Sequence, residues 1–355
     1  MSGSAVFAGD VGDVIAIACD VLQAYGMAEA RLTPVTHGHI NRTFTADGAW
    51  GRRIVQRLNP IFSAAIHHDI HAVTRRLKMA GVMTPELIAT PGGDLWVEDA
   101  AGFAWRVFTF VSGRVYLRAA SPLLCASAGQ LAARFHGALA SFSHAFAAPR
   151  LGVHDTGRHC ERLRVALVEH GDHRAVDRVA PLAERLLQRL DGLAGFPSMP
   201  EQIVHGDMKL SNVIFADTGE ALAFVDLDTL TRMPLVVELG DALRSWCAEG
   251  GEDAAVVDFS LPHFEAALRG YHQGGRALLR PEDVVLLPLA VERITLELGV
   301  RFAADALRES YFAWDRQRFG AAWEHNLLRA QSQLSLADAL AAKRREAERL
   351  IAEVF

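Results

Sequence analysis

Three polar residues in the second half of this 355-residue chain are spaced to do chemistry together. In the run Ile203-Val204-His205-Gly206-Asp207-Met208-Lys209-Leu210-Ser211-Asn212-Val213-Ile214-Phe215, Asn212 follows Asp207 by five residues. After a turn at 217–219, the apolar run Ala223-Phe224-Val225 delivers Asp226, with Leu227, Asp228 and Thr229 behind it. Phosphoryl transfer needs this inventory: one carboxylate positions an acceptor hydroxyl, while further oxygens hold the Mg²⁺ that accompanies nucleotide phosphates. A short loop followed by a hairpin can bring all three together. The alternative is structural, with Asp207 and Asn212 closing an Asx turn and Asp226 capping a strand.

Composition frames that chemistry. Half of the residues are hydrophobic, 22% are charged and the net charge is -6, which excludes intrinsic disorder. No basic block is dense enough for a nucleic-acid stripe or a polybasic membrane patch, so neither partner is expected. Cys19, Cys125, Cys160 and Cys247 form no C-x-x-C pair, which fits a reducing, cytoplasmic setting. The apolar stretch 14–22 is surrounded by Asp10, Asp13 and Asp20, with no preceding Lys or Arg, the wrong pattern for a secretory signal. No apolar run approaches the roughly 20 residues of a membrane helix.

The length favours two lobes, and the hydrophobic period changes along the chain. Asp10 is placed to cap a helix through Val11, Val14, Ile15, Ala18, Leu22 and Tyr25, with Gly26 as its stop. From Leu32 to about Phe110, short runs at 43–45, 53–58, 95–98 and 104–111 read as antiparallel strands, interrupted by one helix over 63–80. Beyond Gly113 the pattern is mainly helical: Ser121-Pro122 forms an N-cap and N1 pair, and helices are expected near 160–193, 238–249, 261–274, 281–306 and 334–353. The exception is the β interruption at 203–228, which carries the three polar residues.

H-G-D-x-K-x-S-N followed by an apolar strand and D-x-D resembles the aminoglycoside phosphotransferase and choline kinase-like family of small-molecule kinases. These are relatives of the protein kinases, whose H-R-D-x-x-x-x-N pattern has the same Asp-to-Asn spacing. The resemblance implies an α+β, bilobal, protein-kinase-like fold. A small antiparallel β-rich N-lobe, 1–112, would carry the nucleotide clamp and hinge; a larger, mainly helical C-lobe, 113–355, would carry the catalytic loop and acceptor pocket. ATP and Mg²⁺ are the implied cofactors. Asp207 looks like the catalytic carboxylate and Asn212 and Asp226 the metal ligands. Lys209 either touches the transferred phosphate or faces solvent, and His205 and Asp241 support the loop. The stretch Thr36-His37-Gly38-His39-Ile40-Asn41-Arg42-Thr43 sits where a loop would fold over phosphates, using backbone near Gly38 and the Asn41 or Thr43 side chains. No lysine stands in the strand 54–57; Gln56 and Arg57 are the two candidates for its place. His68 and Asp69 replace the expected glutamate on the interrupting helix. Phe108 to Gly113 resembles the hinge, with Phe108 and Phe110 beside the adenine. His67 and His71, four apart on one helix face, could bind a metal, but no carboxylate or third histidine completes the site, and they read as a solvated face.

A closer resemblance, carried by Gly38-His39-Ile40-Asn41, the run 54–59, Trp105-Arg106-Val107-Phe108, Val225-Asp226-Leu227-Asp228-Thr229, Gly240-Asp241-Ala242-Leu243-Arg244 and the run 295–302, is to the N-acetylhexosamine 1-kinase branch. That branch phosphorylates the anomeric hydroxyl of a free sugar, so a sugar is the expected acceptor. Asp228, two residues beyond Asp226, would share its strand-end face and accept sugar hydroxyls; His39, Arg244, Arg301 and Tyr311 would close the pocket. An aminoglycoside, amino alcohol or other small metabolite is the alternative acceptor. A polycationic acceptor favours a cleft crowded with acids, and Arg301, Arg308, Arg316 and Arg318 are interspersed here. Two other classes are weighed. A non-catalytic nucleotide-binding protein would explain the missing lysine. The D-x-D-x-T motif of haloacid-dehalogenase-type phosphatases needs its Thr fifth, whereas Thr229 is fourth. The sequence leaves oligomeric state open.

Overall fold

Apolar residues at helical spacing, Val14, Ala18, Val21, Leu22 and Tyr25, build helix α1 (Val11–Ala24) and are buried. Gly26, at φ +68°, ends it. The computed structural model describes residues 11–35, 40–150, 152–275 and 278–355; Gly38 and His39 lie outside the described residues. The chain divides into two units, Met1–Ser112 with Phe142–Pro149, and Gly113–Ser141 with Arg150–Phe355.

In the first unit, strands β1 (Arg31–Pro34), β2 (Arg42–Gly48) and β3 (Gly51–Arg57) precede α2 (Ile66–Met79), followed by β4 (Leu87–Ile88), β5 (Val97–Glu98) and β6 (Ala104–Thr109). They form one antiparallel sheet in the order β1-β2-β3-β6-β4, with β5 also on β6. Phe44, Ala46, Val55, Trp105 and Val107 pack with the apolar stripe of α1. Because side chains alternate, Arg57 falls on this covered face with Val55, whereas Thr43, Gln56 and Arg106, in register across three strands, share the opposite face.

Two expectations about α2 change. His67 is fully buried and stacks on Trp96 at 5.2 Å, so it does not belong to a solvated face. Asp69, also buried, accepts hydrogen bonds from His144 Nε2 (2.7 Å) and the backbone N–H groups of Ala147 (2.8 Å) and Ala148 (3.0 Å). That carboxylate ties Phe142–Pro149 to the first unit, although the expected C-lobe range 113–355 counts the segment with the second.

The second unit contains β7 (Arg114–Val115), α3 (Pro122–Leu139), α4 (Thr156–Glu169), α5 (Val176–Asp191), β8 (Gln202–Val204), β9 (Val213–Phe215), β10 (Ala221–Phe224), β11 (Thr231–Met233) and α6 (Leu235–Trp246). The hairpin β12 (Ala248–Glu249) and β13 (Asp258–Phe259) leads to α7 (Leu261–Gly274), α8 (Pro281–Val284), α9 (Leu287–Arg308), α10 (Ala322–Ala342) and α11 (Arg344–Val354). Expected long helices break where local chemistry demands it: the one over 160–193 divides around Gly171, and the one over 334–353 starts earlier and divides at Lys343. Buried residues of α4, α5, α9 and α10, such as Leu163, Leu186, Val300 and Leu334, form the main helical core. Two small sheets, β10-β9-β7 and β11-β8, carry the β interruption. The architecture is kinase-like, an antiparallel-sheet unit and a mainly helical unit. Among the described residues no helix is long and apolar enough to cross a membrane.

Candidate active site

The second unit brings Asp207, Lys209 and Asn212 into direct contact. Strand β8 ends at Val204, and the chain then runs through an irregular loop to a single 3₁₀ turn, Leu210–Asn212, before β9. Lys209 Nζ and Asn212 Nδ2 both donate to Oδ2 of Asp207, at 2.7 and 3.1 Å, and Asn212 Nδ2 also donates to the Asp207 carbonyl at 2.9 Å. Both side-chain donors use one carboxylate oxygen, so the lone pairs of Oδ1 are not used by either. The same bonds fix the orientation of the Asn212 amide. Burial works to raise the Asp207 pKa, but the charge and hydrogen bond of Lys209, aided by His205 and Arg244, outweigh it and hold the carboxyl below its usual range. Burial likewise opposes the Lys209 charge, and Asp207 and Asp226 overcome it, raising the ammonium pKa. Lys209 therefore bridges the two acids electrostatically.

Three helical side chains on α6 hold this loop. Glu238, 1% exposed, accepts from the backbone N–H of His205 (2.9 Å) and of Gly206 (3.0 and 3.2 Å). Ser245 Oγ accepts from Leu210 N–H at 3.0 Å, and Trp246 Nε1 donates to the Met208 carbonyl at 2.8 Å. The sequence reading missed Glu238 and gave the acidic support to Asp241. The signal was a lone carboxylate in the apolar run Leu235-Val236-Val237-Glu238-Leu239. Asp241 instead accepts from Arg244 at 2.9 Å.

His205 does support the loop. Its Nδ1 accepts from the Asp207 N–H at 3.3 Å and its Nε2 donates to the Val225 carbonyl at 3.0 Å. This pair of roles requires the neutral Nε2–H tautomer. Burial, outweighing Glu238 and Asp207, lowers the ring pKa and keeps it neutral. His205 thereby joins the loop to the end of β10, and the Val225 N–H returns a bond to the Asn212 carbonyl at 2.8 Å.

Asp226 follows at φ 64°, ψ 57°, a left-handed conformation unusual outside glycine but tolerated by Asp. The chain leaves the strand at Phe224 and enters a 3₁₀ turn at Leu227–Thr229, so the i, i+2 rule that placed Asp228 on the face of Asp226 does not apply. Asp228 is fully buried, and Arg150 donates to its backbone carbonyl at 3.3 Å. Its burial and the 3₁₀ turn put it off the strand-end face that alternation had implied.

In the first unit, Gln56 Nε2 donates to Thr43 Oγ1 at 3.0 Å, and its Oε1 accepts from Arg106 Nε and Nη2 at 3.0 and 2.9 Å. Arg57 is 2% exposed, with its guanidinium 4.0 Å from the Phe103 ring centre. Burial lowers its pKa. Arg57 is thus a packing residue of the covered face, and Gln56 and Thr43 form the polar face with Arg106. The sequence reading passed over Arg106 as a site residue, although a cation in the otherwise apolar Trp105-Arg106-Val107-Phe108 was the cue. Asn41 Oδ1 accepts from the Asn59 N–H at 2.9 Å. Phe108 is buried, with the Arg106 guanidinium 5.0 Å from its ring centre, while Phe110 lies past the strand end and half-buried.

Of the expected acceptor residues, Arg244 is 4% exposed and spends its guanidinium on Asp241 and, at 3.4 Å, Glu252. Its charge helps to lower the Asp207 pKa. Arg301 and Tyr311 meet on one aromatic ring: the Arg301 guanidinium lies 5.7 Å from the Phe312 ring centre, and Tyr311 packs edge-on to it at 4.8 Å. Asp305 fixes this turn by accepting the backbone N–H groups of Ser310, Tyr311 and Phe312. Tyr311 is 52% exposed.

Fold and loop together define a phosphotransferase of the kinase-like class. Residues 31–280 match the phosphotransferase enzyme family (APH), and the chain belongs to that family. Among solved structures it is similar to an amicoumacin kinase in complex with AMP-PNP, Ca²⁺ and Ami, at TM-score 0.62 and 16% identity over 93% of this chain and 95% of that one. It is similar to a microcompartment-associated aminopropanol kinase, at TM-score 0.62 and 16% identity over 95% and 99%. An aminoglycoside phosphotransferase from Alicyclobacillus acidocaldarius gives TM-score 0.59 and 17% identity over 93% and 96%. At these identities the likeness speaks for the fold. The chain is a small-molecule phosphotransferase.

Proposed function

We propose that the protein transfers the γ-phosphoryl group of ATP to the anomeric hydroxyl of a free hexose or N-acetylhexosamine. The observation that carries the transfer is the contact between Asp207, Lys209 and Asn212, with Asp226 held in a left-handed turn beside them. Asp207 Oδ1 orients the acceptor hydroxyl. Because its pKa is held low, it is a weak base that takes the proton late, as a loose transition state requires. Lys209 neutralises charge on the transferred group.

The donor chemistry fits Mg²⁺. Asn212 Oδ1 and the Asp226 carboxylate are hard oxygen ligands. Among the described residues no cluster of three or more His, Cys, Asp or Glu could hold a metal alone, so the ion must draw further oxygens from triphosphate and water, as Mg²⁺ ordinarily does. When bound, it supplies charge neutralisation on the phosphates. Asp226→Ala is expected to weaken ATP binding in the presence of Mg²⁺ and to leave metal-free nucleotide binding unchanged, by calorimetry with and without the ion. Equal affinities for parent and variant would reduce Asp226 to a turn former.

The sugar acceptor is supported by the N-acetylhexosamine 1-kinase-like motifs and by the pairing of Arg301 with the exposed Tyr311 on Phe312. An aromatic surface beside a guanidinium suits a hydroxyl-rich ring. The test is ATP consumption with Mg²⁺ over free hexoses, N-acetylhexosamines, amino alcohols and aminoglycosides, with the product examined by ³¹P NMR. The expected product shows phosphorus coupled to an anomeric proton. Phosphate on any other hydroxyl, or turnover of amines alone, rejects the sugar reading and leaves the phosphotransferase assignment standing.

A further inference from the structure

The sheet of the first unit carries a cation one strand away from where kinase-like phosphotransferases keep theirs. In protein kinases a lysine on the third strand meets the nucleotide phosphates and pairs with an acid on the following helix, while the connection between the first two strands covers the phosphates. Position 56 on β3 is glutamine here, and the buried acid of α2, Asp69, is taken up by His144 and the N–H groups of Ala147 and Ala148. Gln56 and Arg106 are register partners on β3 and β6, so the cation of this face enters from the neighbouring strand.

The contacts decide what each group can do. A guanidinium only donates, so Gln56 turns its oxygen to Arg106 Nε and Nη2, at 3.0 and 2.9 Å, and its NH₂ group to Thr43 Oγ1, at 3.0 Å. Two bonds from one cation onto the amide oxygen polarise the amide and strengthen its N–H groups as donors. Thr43 takes one of the two hydrogens, and among the described residues nothing else accepts from Gln56. Because Thr43 Oγ1 accepts this bond, its own O–H is a second donor on the same face. Burial separates the roles: Arg106 is 1% exposed and acts through Gln56, whereas Gln56 and Thr43 are only half-buried. The Val35 N–H bonds the Thr43 carbonyl at 2.9 Å, which puts Thr43 at the foot of the β1–β2 connection, with Gln56 opposite it on β3.

We propose that Gln56 donates an N–H to a phosphate oxygen of the nucleotide and that Arg106 is its positioning residue, supplying from β6 the charge that a lysine would supply from β3. The inference rests on the ATP-dependent reading above and deepens it. A lysine at position 56 would face the Arg106 charge across the register and find Asp69 already taken. An amide fits there, because it accepts from the cation on one side and donates toward an anion on the other.

The test measures calorimetric affinity, with Mg²⁺ present, for ATP and for adenosine, which has no phosphate. It compares the parent with Gln56→Glu, Arg106→Gln and the double variant Gln56→Lys/Arg106→Gln. Gln56→Glu keeps the shape and the bonds from Arg106 but puts an oxygen where the donor N–H stood. It is expected to weaken ATP binding about tenfold or more, with adenosine affinity and the thermal midpoint held. Arg106→Gln should also weaken ATP binding selectively, and adding Gln56→Lys should restore it by returning the cation to β3. Parent-like ATP affinity in Gln56→Glu overturns the inference. So does a loss shared equally by adenosine, one that follows a fallen thermal midpoint, or a double variant that binds ATP no more tightly than Arg106→Gln. ATP turnover by the parent, read separately, decides the phosphotransfer reading, and a parent that does not bind ATP overturns both.

Discussion

Asp207→Asn is expected to lower kcat by about two orders of magnitude or more while nucleotide affinity is kept. The substitution preserves shape and leaves one oxygen to accept from Lys209 and Asn212, the two side chains that converge on Oδ2. It places an NH₂ group where Oδ1 stood. That group cannot accept a proton, and it offers the acceptor hydroxyl a donor where an acceptor is needed. The charge on Lys209 loses its direct partner, but Asp226 continues to act on it, so the ammonium remains protonated. Nucleotide binding, which depends on Asn212 and Asp226 in the proposed site, should therefore move little. Steady-state kinetics with calorimetric ATP titration separates the two effects; near-parent turnover would take Asp207 out of the reaction.

The parts of this site that were legible in the sequence are those whose geometry is local. Asp207 and Asn212 are five residues apart, and the turn that brings them together lies wholly between them, so spacing alone implied their contact. Asp226 followed because a hairpin returns its strand to the same place. The failures share a different cause. Whether Gln56 or Arg57 faces the polar side depends on which face of the sheet α1 covers, and α1 is some 30 residues earlier in the chain. Asp228 was placed by strand alternation, but one left-handed residue at 226 ended the strand's geometry two positions sooner. Asp241 and Glu238 are three residues apart on one helix, near enough that both approach the site. Only the packed structure distinguishes the acid that takes the loop's N–H groups from the one that takes Arg244. His67 illustrates the same limit: a helical histidine reads as solvated until a tryptophan 29 residues later covers it.

Gly206→Ala is the second change with a large expected effect, and it acts through the backbone rather than through any reacting group. Gly206 adopts φ +82°, where an L-residue costs roughly 1–2 kcal/mol. An added Cβ would stand 2.1 Å from the Thr229 carbonyl oxygen and 3.0 Å from its carbon. Those are backbone atoms, which no rotamer change can move, so the methyl must push apart the catalytic loop and the turn that carries Asp226. Overpacking of this kind typically costs a further 1–3 kcal/mol or so, and Glu238 resists the shift by holding the Gly206 N–H. The combined loss, about 2–5 kcal/mol, should appear as a lowered thermal midpoint together with a fall in kcat, because Asp207 is the next residue. Gly93→Ala is the control: Gly93 has φ +95° but nothing within 4 Å of an added Cβ, so it reports the conformational cost without the collision. If the two variants unfold alike and both turn over as the parent does, the close approach at Thr229 is not what fixes the loop.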